Sequence, residues 1–213
     1  MNLGRIFYCA LLAGGLSACA TQSVQYYTLL PVSMSDTPAG SHHGASSKFA
    51  ISVQPVTLPE QVDRPQIVIS DPDTTQVTPL NSALWASPLS DEIRNALSNE
   101  LSRRLGVLDI AASGAPDALP LWKISLRVQR FESIYNQRAV LDVTWRLTPV
   151  NQRGRKTMIC RAEAQVPVEA GMSAMVVGHQ EALQRMAAVI AAQLLQPGTQ
   201  PRVAGVDQKG CTL

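Results

Sequence analysis

"LWKISLRVQRFESIYNQRAVLDVTWRLTPV", residues 121–150, decides how this chain folds. Trp122, Ile124, Leu126 and Val128 alternate with Lys123, Ser125, Arg127 and Gln129. Further on, Leu141, Val143, Trp145 and Leu147 alternate with Asp142, Thr144, Arg146 and Thr148. Successive side chains of a strand point to opposite faces, so each run predicts a half-buried strand with one polar face. The connection "ESIYNQR" is short enough for a hairpin. A third run follows "NQRGRK": Cys160, Ala162, Ala164, Val166 and Val168 alternate with Arg161, Glu163, Gln165 and Pro167. Three such strands predict an antiparallel sheet with one face buried. Its other face carries Lys123, Arg127, Asp142, Thr144, Arg146, Arg161 and Glu163, which suits either plain hydration or a polar protein interface.

Two amphipathic helices are available to cover the apolar face. In the first, Ser87 is placed to cap, Pro88 fits the first helical position, and Asp91 and Glu92 fall in the first turn. Leu89, Ile93, Ala96, Leu97, Leu101 and Leu105 form its apolar stripe, Arg103 and Arg104 suit its C-terminus, and Gly106 ends it. The second runs from about Ser173 to Leu195, with Val176, Leu183, Met186, Ile190 and Leu194 buried and Pro197-Gly198 stopping it. Shorter strands are predicted at residues 25–30, 49–55, 67–69 and 76–80, with a bulge or strand end near Pro55. The expected fold is therefore α+β: a two-layer sandwich, mostly antiparallel sheet, with both helices on one face. Residues 25–196 form one domain in this reading, interrupted by a polar Gly/Ser-rich loop at 34–47. Residues 197–213 form an aperiodic tail, flexible unless Cys211 ties it down.

What precedes the domain is an export signal. One basic residue, Arg5, leads a nearly apolar run from Ile6 to Leu16, too short to cross a hydrocarbon core that needs roughly 20 residues. Two processing readings compete at its end. Ala18-Cys19-Ala20 is a small-x-small site whose cleavage would release a free protein. Leu16-Ser17-Ala18-Cys19 instead resembles the bacterial lipobox, in which residues 1–18 are removed and the cysteine is acylated. Several acyl chains anchor durably where one binds only reversibly. Residues 19–24 would then be the tether. Ala20, in place of an aspartate after Cys19, favours by that resemblance the outer membrane.

Composition narrows the function classes. Loss of Arg5 takes the formal charge from +2 to +1, which leaves no overall electrostatic footprint for nucleic acid. Of four cysteines, Cys9 leaves with the signal and Cys19 carries lipid, so Cys160 and Cys211 remain. An oxidising compartment permits a disulfide between them, worth about 4 kcal/mol by chain entropy for a loop of about fifty residues. The alternative is a buried thiol at Cys160, on a strand's apolar face, and a loose one at Cys211.

Nothing in the mature chain assembles into a reaction centre. It has no nucleophile elbow, no phosphate-binding glycine loop and no His-Glu-x-x-His zinc motif. His42-His43 reads as a solvated loop pair, and His179 and Glu181, two apart on a helix, read as solvent-facing. No metal, cofactor or catalytic residue is expected.

The chain does carry a pattern of another kind. "YYTL" at 26–29, "ISVQPVTLPEQVDRPQIV" at 51–68 and "NSALWASPLSDEIRNALSNELSRRLG" at 81–106 follow the lipobox in order. Together they resemble the ABC-type transport auxiliary lipoproteins. The most specific part is Leu84-Trp85-Ala86-Ser87-Pro88-Leu89, supported by Pro59 and Asp63-Arg64-Pro65. The resemblance implies structural or interface roles for Arg64, Pro65, Trp85, Pro88 and Leu89. It also implies a non-enzymatic lipoprotein that accompanies an MCE-domain lipid transport protein and assembles as a homo-oligomeric ring. The long 34–47 loop and the tail ending near Cys211 depart from the pattern.

Overall fold

The computed structural model describes residues 23–31, 49–110 and 118–212. Cys19, the 34–47 loop and His42-His43 lie outside the described residues.

Eight strands form one mixed, mostly antiparallel sheet. They are β1 (Gln25–Tyr27), β2 (Ala50–Val53), β3 (Gln66–Ser70), β4 (Val77–Trp85), β5 (Leu121–Ile134), β6 (Arg138–Val150), β7 (Met158–Pro167) and β8 (Val206–Thr212). The helices are α1 (Leu89–Leu105) and α2 (Met172–Leu195). The expected α+β sandwich is the fold. The strand order is β1-β4-β3-β5-β6-β7-β8, and β2 also lies beside β5. At 14 residues, β5 is long enough to serve two neighbours. Its start pairs in parallel with β2, Ala50 opposite Leu121, and its end pairs in parallel with β3, Ile69 opposite Ser133.

The opening stretch forms the β5–β6 pair from Leu121↔Val150 to Ile134↔Arg138. A bulge between Val128 and Arg130 shifts the parity. Phe131 and Ser133 thereby join the buried face, and Arg130 and Glu132 move to the open one. On the buried face Ile124, Leu126, Leu141, Val143, Trp145, Ala162 and Ala164 meet both helices in a single core. Helix α2 comes unusually close to the sheet. A Cβ at Gly178 would sit 2.3 Å from Val168 Cγ1, so that position accepts no side chain without movement.

Four expectations need correcting. The fourth strand reaches Trp85 rather than ending at Leu80, because β4 is held by β3 and by β1 in turn. Ser87 does not cap α1; its hydroxyl donates to Glu92 Oε1 at 2.7 Å, and Pro88 occupies the cap position. Residues 206–212 are not aperiodic tail but β8, an edge strand that pairs with β7; its inward positions Val206, Gln208 and Cys211 are only half-buried, and a register shift breaks their alternation. His179, read as solvent-facing, is 1% exposed.

Candidate functional site

The described residues offer a junction rather than a catalytic centre. It gathers the family-type motif, the first strand and both helices. Trp85 ends β4 opposite Tyr27, its N–H donates to the Pro65 carbonyl at 2.8 Å, and the Ala86 N–H donates to the Tyr27 carbonyl at 2.8 Å. Three chain segments therefore meet at one tryptophan. The Pro88 carbonyl accepts the N–H groups of Asp91 and Glu92, starting α1, and Leu89 is buried beneath it. The motif thus divides: Trp85 and Leu89 fill the core, while Arg64, Pro65 and Pro88 are exposed.

Glu92 ties the junction together. Its side chain is almost wholly buried. Oε2 accepts from Thr28 Oγ1 at 2.7 Å and from the Leu29 N–H at 2.8 Å, and Oε1 accepts from Ser87 Oγ. A buried carboxylate is tolerable only with such bonds, and the N-terminal turn of α1 favours its charge further. Gln180 on α2 adds a donation from Nε2 to the Thr28 carbonyl at 3.1 Å. Residues 28–29, just after β1, are thereby held by both helices.

Behind Trp85 lies an aromatic stack. Its ring meets Phe131 edge-on at 6.0 Å, and Phe131 stacks on the His179 imidazole at 4.0 Å. His179 Nε2 and Ser133 Oγ are 2.8 Å apart, while Nδ1 has no partner. Burial pushes the imidazole down to about 3, so it is neutral at physiological pH. A serine–histidine pair sealed from solvent, with the serine 1% exposed, has no route for a substrate.

At the far edge Cys160 and Cys211 occupy opposite positions on β7 and β8 and are joined by a disulfide. Gln193 of α2 donates from Nε2 to both sulfurs, at 3.4 and 3.6 Å, and accepts the Trp145 indole N–H at 2.9 Å.

Two clefts lie on polar surface. One of about 280 Å³ runs under the β3–β4 turn beside Arg130, Glu132 and Arg138; another of about 420 Å³ lies beside Glu163 and Asp207. Among the described residues no three His, Cys, Asp or Glu side chains are placed to hold a metal ion. Nor is any described helix long and apolar enough to cross a membrane.

Sequence reasoning missed Glu92's clamp, His179 and Gln193. All three were findable. Glu92 falls three residues from Leu89 and one before Ile93, inside the apolar stripe; His179 lies between Val176 and Leu183, and Gln193 beside Leu194. A polar residue within a buried stripe is a residue that needs a buried partner.

Residues 27–191 match the family described as ABC-type transport auxiliary lipoprotein component. The chain belongs to that family. The intermembrane transport lipoprotein PqiC of Escherichia coli K12 is 27% identical over 138 residues, covering 64% of this chain and 71% of that protein. The Shigella flexneri PqiC aligns equally well. Among solved structures, an uncharacterized protein superposes with a TM-score of 0.61 at 22% identity, covering 81% of this chain and 99% of its own. A Xanthomonas campestris protein superposes at 0.54 and 15% identity, covering 69% and 84%. These two likenesses concern the fold. The family match starts at Tyr27 and stops at Ala191, so it contains the Glu92 junction and leaves out Gln193 and Cys211.

Proposed function

We propose that this chain is an outer-membrane lipoprotein facing the periplasm, a non-catalytic accessory subunit of an MCE-type intermembrane lipid transport system. In this reading lipid on Cys19 anchors it, and the domain acts as a scaffold, assembled as a ring of copies. The observation that carries it is the family match across residues 27–191, which spans the motif junction where residues 28–29 are gripped. The grip gives the anchor mechanical meaning. Cys19 lies six residues before Gln25, so a fully extended tether reaches about 20 Å. The folded domain then stays within one tether length of its membrane, and a load on the lipid is passed directly into β1, α1 and α2.

The packing argues against a lipid carrier that works alone. The space between sheet and helices is filled by the core, with Ile124, Leu141, Ala182 and Ile190 fully buried, and the two clefts described lie on polar surface outside it. An apolar acyl chain would need an apolar cavity.

Palmitate labelling of the wild type, lost in Cys19→Ala, is the expected result, together with co-purification of the MCE protein from the same transport system. A soluble, unlabelled wild type that brings down no MCE partner would sink the reading.

A further inference from the structure

The charges on the open sheet face are sorted along the strands. Toward the β5–β6 hairpin they are paired. Arg130 bonds Glu132 at 2.7 Å and Glu163 at 3.2 Å, and Arg161 grips Asp142 through two bonds of 3.0 and 2.7 Å. Toward the β6–β7 hairpin they are not. Residues 118–131 and 143–162 contain no aspartate or glutamate. Lys123, Arg127 and Arg146 project from the open face at that end. Arg146 stands opposite Ser125, so Lys123 and Arg127 are its diagonal neighbours, about 7–8 Å away.

The adjoining hairpin adds Arg153, Arg155 and Lys156, all exposed. Gln152 and Asn151 hold the hairpin's root to this end of the sheet, donating to the carbonyls of Leu121 and Leu119. None of these six cations makes an ion pair among the described residues. Six unpaired cations on a chain whose mature net charge is only +1 are a local concentration, not a reflection of overall charge.

We infer that this basic end of the sheet is the docking surface for an acidic face of the protein partner. The inference rests on the accessory-subunit reading for the partner's identity and on the charge pattern for its chemistry. A flat sheet face suits a protein surface better than a small anion, and the four arginines suit carboxylates, which they can bind in bidentate fashion. Its location selects protein over the anchoring membrane. Strand β1 is parallel to β4, β4 is antiparallel to β3, and β3 is parallel to β5, so the chain reaches β1 from the end where β5 finishes. Gln25 stands opposite Ala83, beside the Gln66 end of β3 and near the level of Arg130. Lys123 therefore lies about seven residues farther back, roughly 20 Å along the strands and away from the tether. The patch is presented outward, where a partner arriving from the opposite side meets it.

The test compares three full-length, detergent-solubilised proteins. They are the wild type, a sheet triple (Lys123→Gln, Arg127→Gln, Arg146→Gln) and a hairpin triple (Arg153→Gln, Arg155→Gln, Lys156→Gln). Binding of a labelled oligo-glutamate peptide is read by fluorescence anisotropy at low and physiological salt, and recovery of the MCE protein by co-purification. Each triple is expected to weaken peptide binding about tenfold or more, to flatten its salt dependence and to reduce partner recovery, with the unfolding midpoint unchanged. The hairpin triple keeps the test open if the sheet triple folds poorly.

Unchanged peptide binding in both triples overturns the inference. So does equal recovery of the MCE protein with wild type and triples, and that result leaves the accessory reading standing. If the wild type itself recovers no MCE protein, the accessory reading fails and the peptide titration alone decides the surface. Vesicles containing phosphatidylglycerol that bind the wild type, release the triples and outcompete the peptide would replace the acidic protein with a membrane.

Discussion

Two buried polar knots fasten the two ends of the described chain, and they use different chemistry. At the first, Glu92 gathers Ser87, Thr28 and the Leu29 N–H, and Gln180 adds the Thr28 carbonyl. At the second, a disulfide joins β7 to β8, and Gln193 links its sulfurs to Trp145. The first lies inside the span matched to the family; the second has Gln193 and Cys211 beyond it. The difference sets a charged clamp just after the short β1, inside the matched span, against a covalent staple on β8, outside it. A strand of three residues cannot hold itself, and Glu92 beside the motif supplies a charged clamp. Strand β8 lies outside the matched span at the edge of the sheet, and a covalent bond keeps it in place.

The largest effect is expected at Glu92. Glu92→Ala removes the acceptor for two hydroxyls and a buried backbone N–H, and should destabilise by about 4 kcal/mol in urea unfolding. Glu92→Gln keeps one carbonyl oxygen, and the hydroxyls can reverse to accept from its amide, so about half that loss is expected. If the alanine variant lost less than the glutamine variant, the clamp would be no clamp.

Breaking the second knot should cost about as much. Cys160→Ser with Cys211→Ser reopens a loop spanning 51 residues and should lower stability by about 4 kcal/mol, its chain-entropy value. The comparison predicts more than the number. Hydrogen exchange should rise at 206–212 and stay slow at 25–29, whereas Glu92→Ala should do the reverse. Exchange spreading equally over both ends in either variant would make the two knots one unit.

A pH effect of intermediate size belongs to the first end alone. His179 titrates at about 3 when folded and near 6.5 when unfolded. Below 6.5 the unfolded chain binds a proton the folded one does not, so stability is full above that pH and falls as pH drops toward 3. Between pH 7 and pH 5 the loss should be about 2 kcal/mol, and His179→Phe should remove most of that slope. A slope unchanged in the phenylalanine variant would move the acid sensitivity elsewhere.

These residues also mark how far the sequence could be read. Period-two alternation in 121–168 was sufficient for β5, β6 and β7, because each has one dry face and one wet face. It was not sufficient for the bulge after Val128 or for the parallel pairing of β2 and β3 with β5. The two helices were equally plain, from stripe and Gly106. Strand β8 was not legible: in "VDQKGCT" the inward positions Val206, Gln208 and Cys211 are only half-buried, and the extra residue Lys209 interrupts their alternation. The knots were half legible. Their residues sat in the helical stripes, but which donors lie within reach of Glu92 depends on β1 pairing with Ala83–Trp85, a contact over more than fifty residues that no local pattern encodes. The compensated and uncompensated halves of the open face were hidden for the same reason, since Asp142–Arg161 and Arg130–Glu163 are cross-strand pairs.

The smallest effect separates the two parts of the second knot. Gln193→Leu conserves volume closely but leaves the Trp145 indole N–H buried without an acceptor, and Trp145 is 1% exposed. The lost bond and the stranded donor should cost about 1 kcal/mol after the added leucine burial is counted. Gln193 reaches the sulfurs only through weak N–H···S contacts, so its loss should hardly depend on them. In a double-mutant cycle with Cys160→Ser and Cys211→Ser, a coupling below about 0.5 kcal/mol is therefore expected. A larger coupling would mean that the disulfide positions Gln193 for Trp145. Helix α2, and not β8 alone, would then depend on the covalent bond.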